Sequence, residues 1–140
     1  MAYPALSSLL RIDRHRRRAL RKVLALYQYV GTMHLIVRYV SRNPGASQEE
    51  IACFFALDKA STARDAKRLE DMGHIRREVV PDNRRQYRLY LTEAGEGMLA
   101  VIDRAYEDFQ GRLAAGFSPE EWSQLTALLA RLEENSQKEL

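Results

Sequence analysis

The stretch from Asp58 to Gly73 constrains the fold of this chain most, because it carries a helix start, a helix stop and one narrow apolar stripe. Asp58 can accept hydrogen bonds from the free N–H groups of a helix start, and Gly73 can close the helix in the left-handed conformation. A helix of about four turns is predicted between them. Its stripe consists of Thr62, Ala66 and Leu69, and its opposite side of Ala60, Ala63, Arg64, Lys67 and Asp71. The pattern predicts one packed side and one exposed side.

The exposed side carries two methyl-sized residues, Ala60 and Ala63, among cationic side chains. Small residues allow a helix to approach the base edges of DNA, and an arginine such as Arg64 can contact guanine. The longer cations can reach phosphates. They are Lys59, Lys67 and Arg68. An ordinary solvated helix of mixed charge is the alternative, and the neighbouring segments decide between the two.

A long helix is predicted over residues 5–30, where leucine and valine recur at helical spacing. Its middle, residues 11–18, is a basic run. A solvated helical face explains such a run, and contact with the DNA backbone or with an anionic effector is the alternative. Gly31 and Thr32 then end this helix and cap the next, which is predicted over residues 33–42.

A third helix is predicted from a capping box, in which the Ser47 hydroxyl and the Glu50 carboxylate satisfy each other's backbone N–H groups. This helix ends near Ala56, just before the helix that Asp58 begins. Two short helices in tandem, the second of them basic, are typical of a helix-turn-helix.

Two half-buried strands are predicted after Gly73, because apolar residues alternate with polar ones in both segments. Ile75 and Val79 face inward in the first strand, and Leu89 and Leu91 in the second.

Turn-forming residues between the strands, residues 81–86, place Arg84 and Arg85 at the tip of a hairpin. A two-stranded ribbon beside a helix-turn-helix is a wing, and a narrow minor groove attracts arginine. A hairpin that its charges keep soluble is the alternative.

Two long helices are predicted after the hairpin. Thr92 and Glu93 open the first, which stops at Gly116, and a capping box at Ser118 with Pro119 opens the second. Both carry apolar stripes with little core of their own to cover, so we expect them to pack with the N-terminal helix against a second copy of the chain. The predicted dimer interface comprises Leu6, Leu9, Leu10, Phe109, Leu113, Trp122, Leu125 and Leu129.

The formal net charge of +3 divides unevenly along the chain. Residues 1–91 contain 18 Lys and Arg against 9 Asp and Glu, whereas residues 92–140 contain 4 against 10. A basic part joined to an acidic part suggests that only the first faces a polyanion. The single Cys excludes an intramolecular disulfide framework, and neither a membrane span nor a signal-peptide pattern is found. We expect a soluble, cytoplasmic protein.

In this order and spacing, the motifs resemble those of the MarR (multiple antibiotic resistance regulator) family of transcription factors over nearly the whole chain. The resemblance rests on residues 47–52, on residues 59–64 with 67–70 and Gly73, on Ile75 with Arg77, on the Asp/Asn-Arg wing tip and on residues 91–95. It implies a mainly α fold with a small β-hairpin wing, as one winged helix-turn-helix domain over residues 1–140. Residues 32–91 would form the DNA-binding core, and residues 5–30 and 92–138 the dimerisation helices.

The resemblance also implies a homodimer that binds a pseudo-palindromic operator, usually as a repressor. The implied DNA-binding residues are Ser47, Lys59, Ala60, Ser61, Thr62, Ala63, Arg64, Lys67, Arg68, Asp82, Asn83, Arg84, Arg85 and Gln86. Small effectors, often aromatic acids or other phenolics, would bind between the dimerisation helices and the winged domain. Candidate effector-pocket residues are Arg14, His15, Arg18, Tyr27, His34 and Arg38.

The sequence departs from the family pattern at two places. By distance from Leu91, Asn83 occupies the place of the wing aspartate with Arg85 as its arginine, whereas Asp82 and Arg84 keep the residue types one step earlier. Asp65 stands where an apolar residue is common, and it is expected to pair with Arg68 or with another helix.

Other functions are less consistent with these residues. The chain has no catalytic motif, no metal-ligand spacing and no cofactor-binding pattern, so no enzyme, metal or cofactor is predicted. A winged-helix module that binds protein without DNA is one alternative. A redox sensor that uses Cys53 is another, although a small buried thiol is the expected state of that residue.

Overall fold

The computed structural model describes residues 3–138, with only the backbone of Arg84. Six helices and one antiparallel hairpin follow each other in the predicted order, which confirms the fold class. The elements are α1 (Pro4–Ala25), α2 (Met33–Arg42), α3 (Gln48–Phe55), α4 (Lys59–Asp71), β1 (Ile75–Val80), β2 (Asn83–Leu91), α5 (Glu93–Ala114) and α6 (Pro119–Ser136). Within the described part of the chain, no helix is long and apolar enough to cross a lipid bilayer.

The first helix ends at Ala25, so the prediction that it continues to residue 30 was wrong. Gln28 adopts a left-handed conformation with φ of 62°, and the Tyr29 N–H donates to the Leu24 carbonyl over 3.0 Å. These features close the helix and bury Tyr29. Residues 26–32, which we call the α1–α2 turn, lead from there to α2.

The predicted ends of α4 are confirmed. The Asp58 carboxylate accepts from the Ser61 backbone N–H over 2.9 Å, and this bond lowers the pKa of Asp58. Gly73 has φ of +77°, and the N–H of His74 donates to the Leu69 carbonyl over 2.9 Å. Side-chain and backbone groups thus satisfy both ends of the helix.

The capping box of α3 is only half formed. The Ser47 hydroxyl accepts from the Glu50 N–H over 3.0 Å as predicted. The Glu50 carboxylate instead accepts from the Tyr39 hydroxyl over 2.9 Å, and so ties α3 to α2. At α6 both halves of the predicted box are present, between Ser118 and Glu121.

The hairpin has a tighter turn than predicted. Only Pro81 and Asp82 separate the strands, because β2 begins at Asn83, with a register shift between Val79 and Val80. Val79 is 54% exposed, so its predicted inward position was wrong, whereas Ile75 and Leu89 are buried as predicted.

The chain divides into two compact units after Tyr106. In the first unit, α2 supplies the centre of the core, and side chains from the other elements surround it. The largest fully buried side chains are Met33, Ile36, Ile51, Leu69, Ile75, Leu89 and Ile102. In the second unit no described residue of α6 is buried, and Leu128, Leu129 and Leu132 are exposed. The division of the chain into a DNA-binding core and dimerisation helices stays a prediction.

The start of α5 packs tightly against the junction between α4 and β1. Thr92 Oγ1 donates to the Gly73 carbonyl over 2.5 Å and accepts from the Gly95 N–H over 3.1 Å. A Cβ on Gly95 would overlap the His74 carbonyl oxygen, so the approach requires glycine at that position. The C-terminal end of α4 is thereby fixed to the core.

Candidate nucleic-acid interface and neighbouring cavity

Helix α4 has the two sides that its sequence predicts. Thr62, Ala66 and Leu69 are fully buried, whereas Ala60, Arg64 and Lys67 are exposed. Ala63 lies between the two states. Since the Thr62 hydroxyl donates to the Asp58 carbonyl and is buried, the position of Thr62 does not support the implied DNA contact.

The cations of α4 differ in what they contact. Arg64 Nη2 donates to Ser61 Oγ over 3.0 Å, which fixes the guanidinium beside the first turn of the helix. No salt bridge joins Lys59 or Arg64 to an acidic residue within the described part of the chain. Both are therefore available to an anionic partner.

Lys67 is paired within its own helix. Its Nζ lies 2.9 Å from Asp71 Oδ1 and 3.4 Å from Glu70 Oε1, and the bond to Asp71 raises the pKa of Lys67. Exposed ion pairs of this kind are weak and exchange readily with other partners. Lys67 can therefore reach a phosphate only after it releases these carboxylates.

Asp65 was expected to pair either with Arg68 or with another helix, and it does both. One oxygen accepts from Arg68 Nη1 over 3.2 Å. The other accepts from the Thr32 N–H over 2.8 Å and from the Thr32 hydroxyl over 2.7 Å. Thr32 is the N-cap residue of α2, as predicted, but its hydroxyl donates to Asp65 and does not accept from the first turn of its own helix. The carboxylate of α4 thus serves as the cap of α2, where the helix dipole favours a negative charge.

The wing, formed by β1 and β2, follows α4 in the chain and is joined to it by an ion pair. Arg77 Nε lies 3.3 Å from Glu70 Oε2, and its guanidinium stacks on the Tyr87 ring. At the turn, Asn83 Oδ1 accepts from the Arg85 N–H over 3.1 Å. The side chains of Asp82, Arg85 and Gln86 are exposed, and that of Arg84 lies outside the described part. Asn83 therefore shapes the turn, and Arg85 is exposed next to it.

A cavity of about 380 Å³ lies between the second half of α1, the α1–α2 turn and α2. Its lining residues are Arg16, Arg17, Leu20, Arg21, Leu24, Tyr29, Val30, Gly31, Thr32, His34, Leu35 and Leu57. Among the described residues three arginines and no acidic residue line it, and Asp13 pairs with two of these arginines from outside the lining. The electrostatics of the cavity therefore favour an anion.

The predicted effector-pocket residues are only partly in this cavity. His34 lines it, whereas Arg14, His15, Arg18 and Tyr27 are exposed and do not. Arg38 is half-buried, stacks on the Tyr106 ring 4.1 Å from its centre and lies 3.6 Å from Asp103.

The arginines that do line the cavity, Arg16, Arg17 and Arg21, were not among the residues predicted from the sequence. Successive residues are about 100° apart around a helix. On α1 these three arginines therefore lie within about 100° of the buried Leu20, whereas His15 and Arg18 lie nearly opposite. The position of each arginine around the helix, measured from the leucine stripe, could have identified them from the sequence. Arg16 and Arg17 also pair with Asp13, over 2.8 and 3.2 Å.

His34 is uncharged at neutral pH. Burial, together with the charges of Arg16 and Arg38, lowers the pKa of His34 to about 4. Its ring can therefore bond to a ligand in the cavity without contributing charge.

Cys53 is exposed, so the expectation of a buried thiol was wrong. It lies on α3 one turn after Glu49 and Glu50, and nearby carboxylates do not favour a thiolate. Among the described residues, no group of three or more His, Cys, Asp or Glu side chains could hold a metal ion.

A basic helix with small exposed residues, preceded by a short capped helix and followed by a hairpin, defines a winged helix-turn-helix protein. The sequence pattern of the MarR family matches residues 32–87. Over 95% of this chain and 90% of the other, the fold is similar to the crystal structure of MarR, with a TM-score of 0.85 and 32% identity. The chain belongs to the MarR family of transcriptional regulators.

Other relatives are regulators as well. The HTH-type transcriptional regulator BilQ of Clostridioides difficile (strain CD3) is 28% identical over 104 residues, which are 74% of this chain and 70% of that protein. A putative MarR family regulator from Listeria monocytogenes, crystallised with a 26mer DNA, has a TM-score of 0.82 at 23% identity and matches 93% of this chain and 87% of its own. The latter likeness concerns the fold.

Proposed function

We propose that this protein is a cytoplasmic, sequence-specific repressor that binds a pseudo-palindromic DNA operator as a homodimer and responds to a small anionic effector. The observation that carries this proposal is the division of α4 into a buried side and an exposed side. The exposed side presents Ala60 and Arg64 together with Lys59, and the hairpin follows directly. The Listeria regulator bound to DNA has the same fold, which supports a DNA ligand.

The two free cations of α4 are suited to different tasks. Arg64 lies beside the methyl-sized Ala60 and Ala63, so its guanidinium can enter a major groove and donate two hydrogen bonds to one guanine. Lys59 is at the first position of the helix, where its flexible charge can contact a phosphate. Ser47 lies at the start of α3, where a second helix N-terminus can bind the phosphate backbone of DNA. Arg85 is the wing residue suited to a minor groove.

Dimer formation is proposed from exposed apolar side chains on α1, α5 and α6. Leu6 and Leu10 are 60% and 70% exposed, and Leu113 and Leu129 are exposed as well. Phe109, Trp122 and Leu125 are only partly covered. A soluble protein rarely leaves so many large apolar side chains uncovered, and a second copy with the same stripes can cover them. Two α4 helices would then lie about 34 Å apart in successive major grooves.

An effector site is proposed in the cavity beside α1. Its volume of about 380 Å³ is within the range of small-molecule sites, and apolar residues such as Leu20 and Leu24 line it together with the three arginines. An aromatic carboxylate combines the apolar body and the single negative charge that this lining fits.

The proposal is tested by selecting bound fragments from random duplex DNA and measuring their affinity from low to physiological salt. We expect an inverted repeat with half-site centres about ten base pairs apart. Affinity should fall by orders of magnitude as salt rises, because phosphate contacts release counterions. Arg64→Ala should weaken binding to the recovered sequence, and Arg131→Ala, an exposed change on α6, is the matched control that should not. Recovery of no common sequence, or an affinity that salt does not change, would favour a protein-binding module instead.

A further inference from the structure

The α1–α2 turn is attached to α4 at two separate points. At the first, both the N–H and the hydroxyl of Thr32 donate to Asp65 Oδ2. At the second, the Tyr29 hydroxyl lies 2.5 Å from His74 Nδ1. Asp65 is in the middle of α4, and His74 directly follows the glycine that closes it. The turn therefore contacts α4 at its middle and beyond its end.

One partner of each attachment is buried, and the other is half-buried. Tyr29 is 3% exposed and Asp65 is 5% exposed. A Cβ on Gly31, where φ is +56°, would lie 2.7 Å from Asp65 Oδ2, so turn and helix approach each other as closely as glycine permits. A buried carboxylate is costly unless hydrogen bonds satisfy its oxygens. Because Thr32 supplies two of those bonds, a displacement of the turn that breaks them is opposed unless α4 follows.

The same turn is one wall of the cavity beside α1. Tyr29, Val30, Gly31 and Thr32 all line this cavity. Leu57, which directly precedes the capping residue of α4, lines it as well. A molecule in the cavity therefore touches the residues that hold α4.

The other oxygen of Asp65 faces the candidate DNA-binding cations. Asp65 Oδ1 accepts from Arg68 Nη1, and the Arg68 side chain is 54% exposed. One carboxylate thus contacts the cavity wall on one side and a cation of the candidate interface on the other.

We propose that Asp65 and His74 are positioning residues, through which the α1–α2 turn sets the orientation of α4 and transmits cavity occupancy to DNA affinity. The inference rests on the proposed function, and it adds the route by which that function is regulated. An effector changes DNA affinity to the extent that it prefers one position of the turn over another. Because the turn is bonded to α4 at two points, a movement of the turn moves α4 as well.

The attachment itself is tested without DNA, by amide hydrogen exchange along α4. Tyr29→Phe keeps the ring and removes the hydroxyl, and Asp65→Asn keeps the shape of the side chain and removes its charge. Val40→Ala, a buried change on α2, is the control for lost core packing. We expect the two attachment variants to speed exchange over residues 66–74 by about fivefold or more relative to the control at matched global stability. Equal exchange in all three proteins would overturn the proposal.

The transmission is tested with a substitution that fills the cavity from its own wall, Leu35→Trp. We expect it to change DNA affinity in the wild-type background, and the change to shrink by about threefold or more when Tyr29→Phe is also present. If the effects of Leu35→Trp and Tyr29→Phe on DNA affinity were additive, the proposed transmission would be wrong. An unchanged DNA affinity in Leu35→Trp alone would contradict it as well. If the wild-type protein bound no DNA, the proposed function would fail, and the exchange experiment would still decide whether Asp65 and His74 position α4.

Discussion

Lys67 Nζ lies 2.9 Å from Asp71 Oδ1, so an acidic residue one helical turn later on α4 neutralises the charge of Lys67. A phosphate must compete with this carboxylate for Lys67. Both side chains of the pair are exposed, so in the proposed DNA complex the pair weakens the phosphate contact of Lys67 more than it stabilises the fold.

Asp71→Asn should tighten binding to every duplex by roughly 1.5- to 5-fold at low salt, the range expected for one exposed ion pair. The reason is that Lys67 is released and a negative charge is removed from α4. Titration of a fluorescent duplex measures the change, and Glu134→Gln on α6 is the matched control. An equal gain in both variants would show that only net charge matters.

Arg64→Ala should weaken binding to the selected operator by about 1 to 3 kcal/mol and relax the preference at one base position. Lys59→Ala should weaken all sequences alike and lower the salt slope by about one. Lys67→Ala should resemble Lys59→Ala with a smaller effect, since Lys67 is already paired. Affinity measured against single-base operator variants separates these outcomes. Identical profiles for Arg64→Ala and Lys59→Ala would contradict the division between base and phosphate contacts.

Gly31→Ala should destabilise the protein by about 1 to 3 kcal/mol, because the residue has a positive φ and a Cβ there would meet Asp65 Oδ2 at 2.7 Å. Gly97→Ala is the opposite control, since its Cβ would meet nothing within 4 Å on a regular helix. We expect that change to stabilise the protein by about 0.5 to 1 kcal/mol. Urea unfolding measures both, and equal midpoints would argue against a tight approach at Gly31.

Stability should fall as the pH falls from about 6.5 to about 4, because the pKa of His34 is lowered from 6.5 to about 4. Below its usual pKa the unfolded chain takes up a proton that the folded chain resists, so the contribution of His34 is complete above pH 6.5 and is lost toward pH 4. A tenfold change in proton affinity corresponds to about 1.4 kcal/mol, so the contribution of His34 to the free energy of unfolding is at most about 3 to 4 kcal/mol.

Thermal unfolding at intervals across this range measures the effect. His34→Gln should flatten the pH dependence, and His15→Gln, at an exposed position of α1, should not. His74, whose pKa burial also lowers, should account for part of the slope that remains. A slope that is unchanged in His34→Gln would assign the effect to other groups.

Cys53 should react with iodoacetamide in the native protein at about the rate of the urea-unfolded chain, since it is exposed and its neighbouring turn carries Glu49 and Glu50. Cys53→Ser should bind DNA as the wild type does, before and after treatment with peroxide. Native labelling about tenfold faster than labelling of the unfolded chain would support redox sensing.

Much of the fold could be predicted because its signals are local. The Asp58 cap, the Gly73 stop and the stripe of Thr62, Ala66 and Leu69 all lie within one helix, and the structure has them as predicted. The same holds for the capping box of α6. Spacing along the chain determines such features, since the groups that interact are close together in sequence.

Some predictions failed, in whole or in part, because of contacts between segments distant in sequence. Glu50 bonds to Tyr39, not to its own helix start, and Thr32 donates to Asp65, 33 residues later. The early end of α1 is tied to the burial of Tyr29, which no periodicity indicates. At Glu50 and Thr32, a tertiary partner satisfied a polar group that local rules assign to a neighbour.

The bonds between Thr32 and Asp65 limit how α4, the proposed DNA-binding helix, can be exchanged. An α4 transplanted from a relative with an apolar residue in place of Asp65 would leave the start of α2 without its acceptor, and the space around Gly31 would no longer match. Engineered changes of operator specificity in this protein must therefore keep Asp65, or redesign Gly31 and Thr32 along with it.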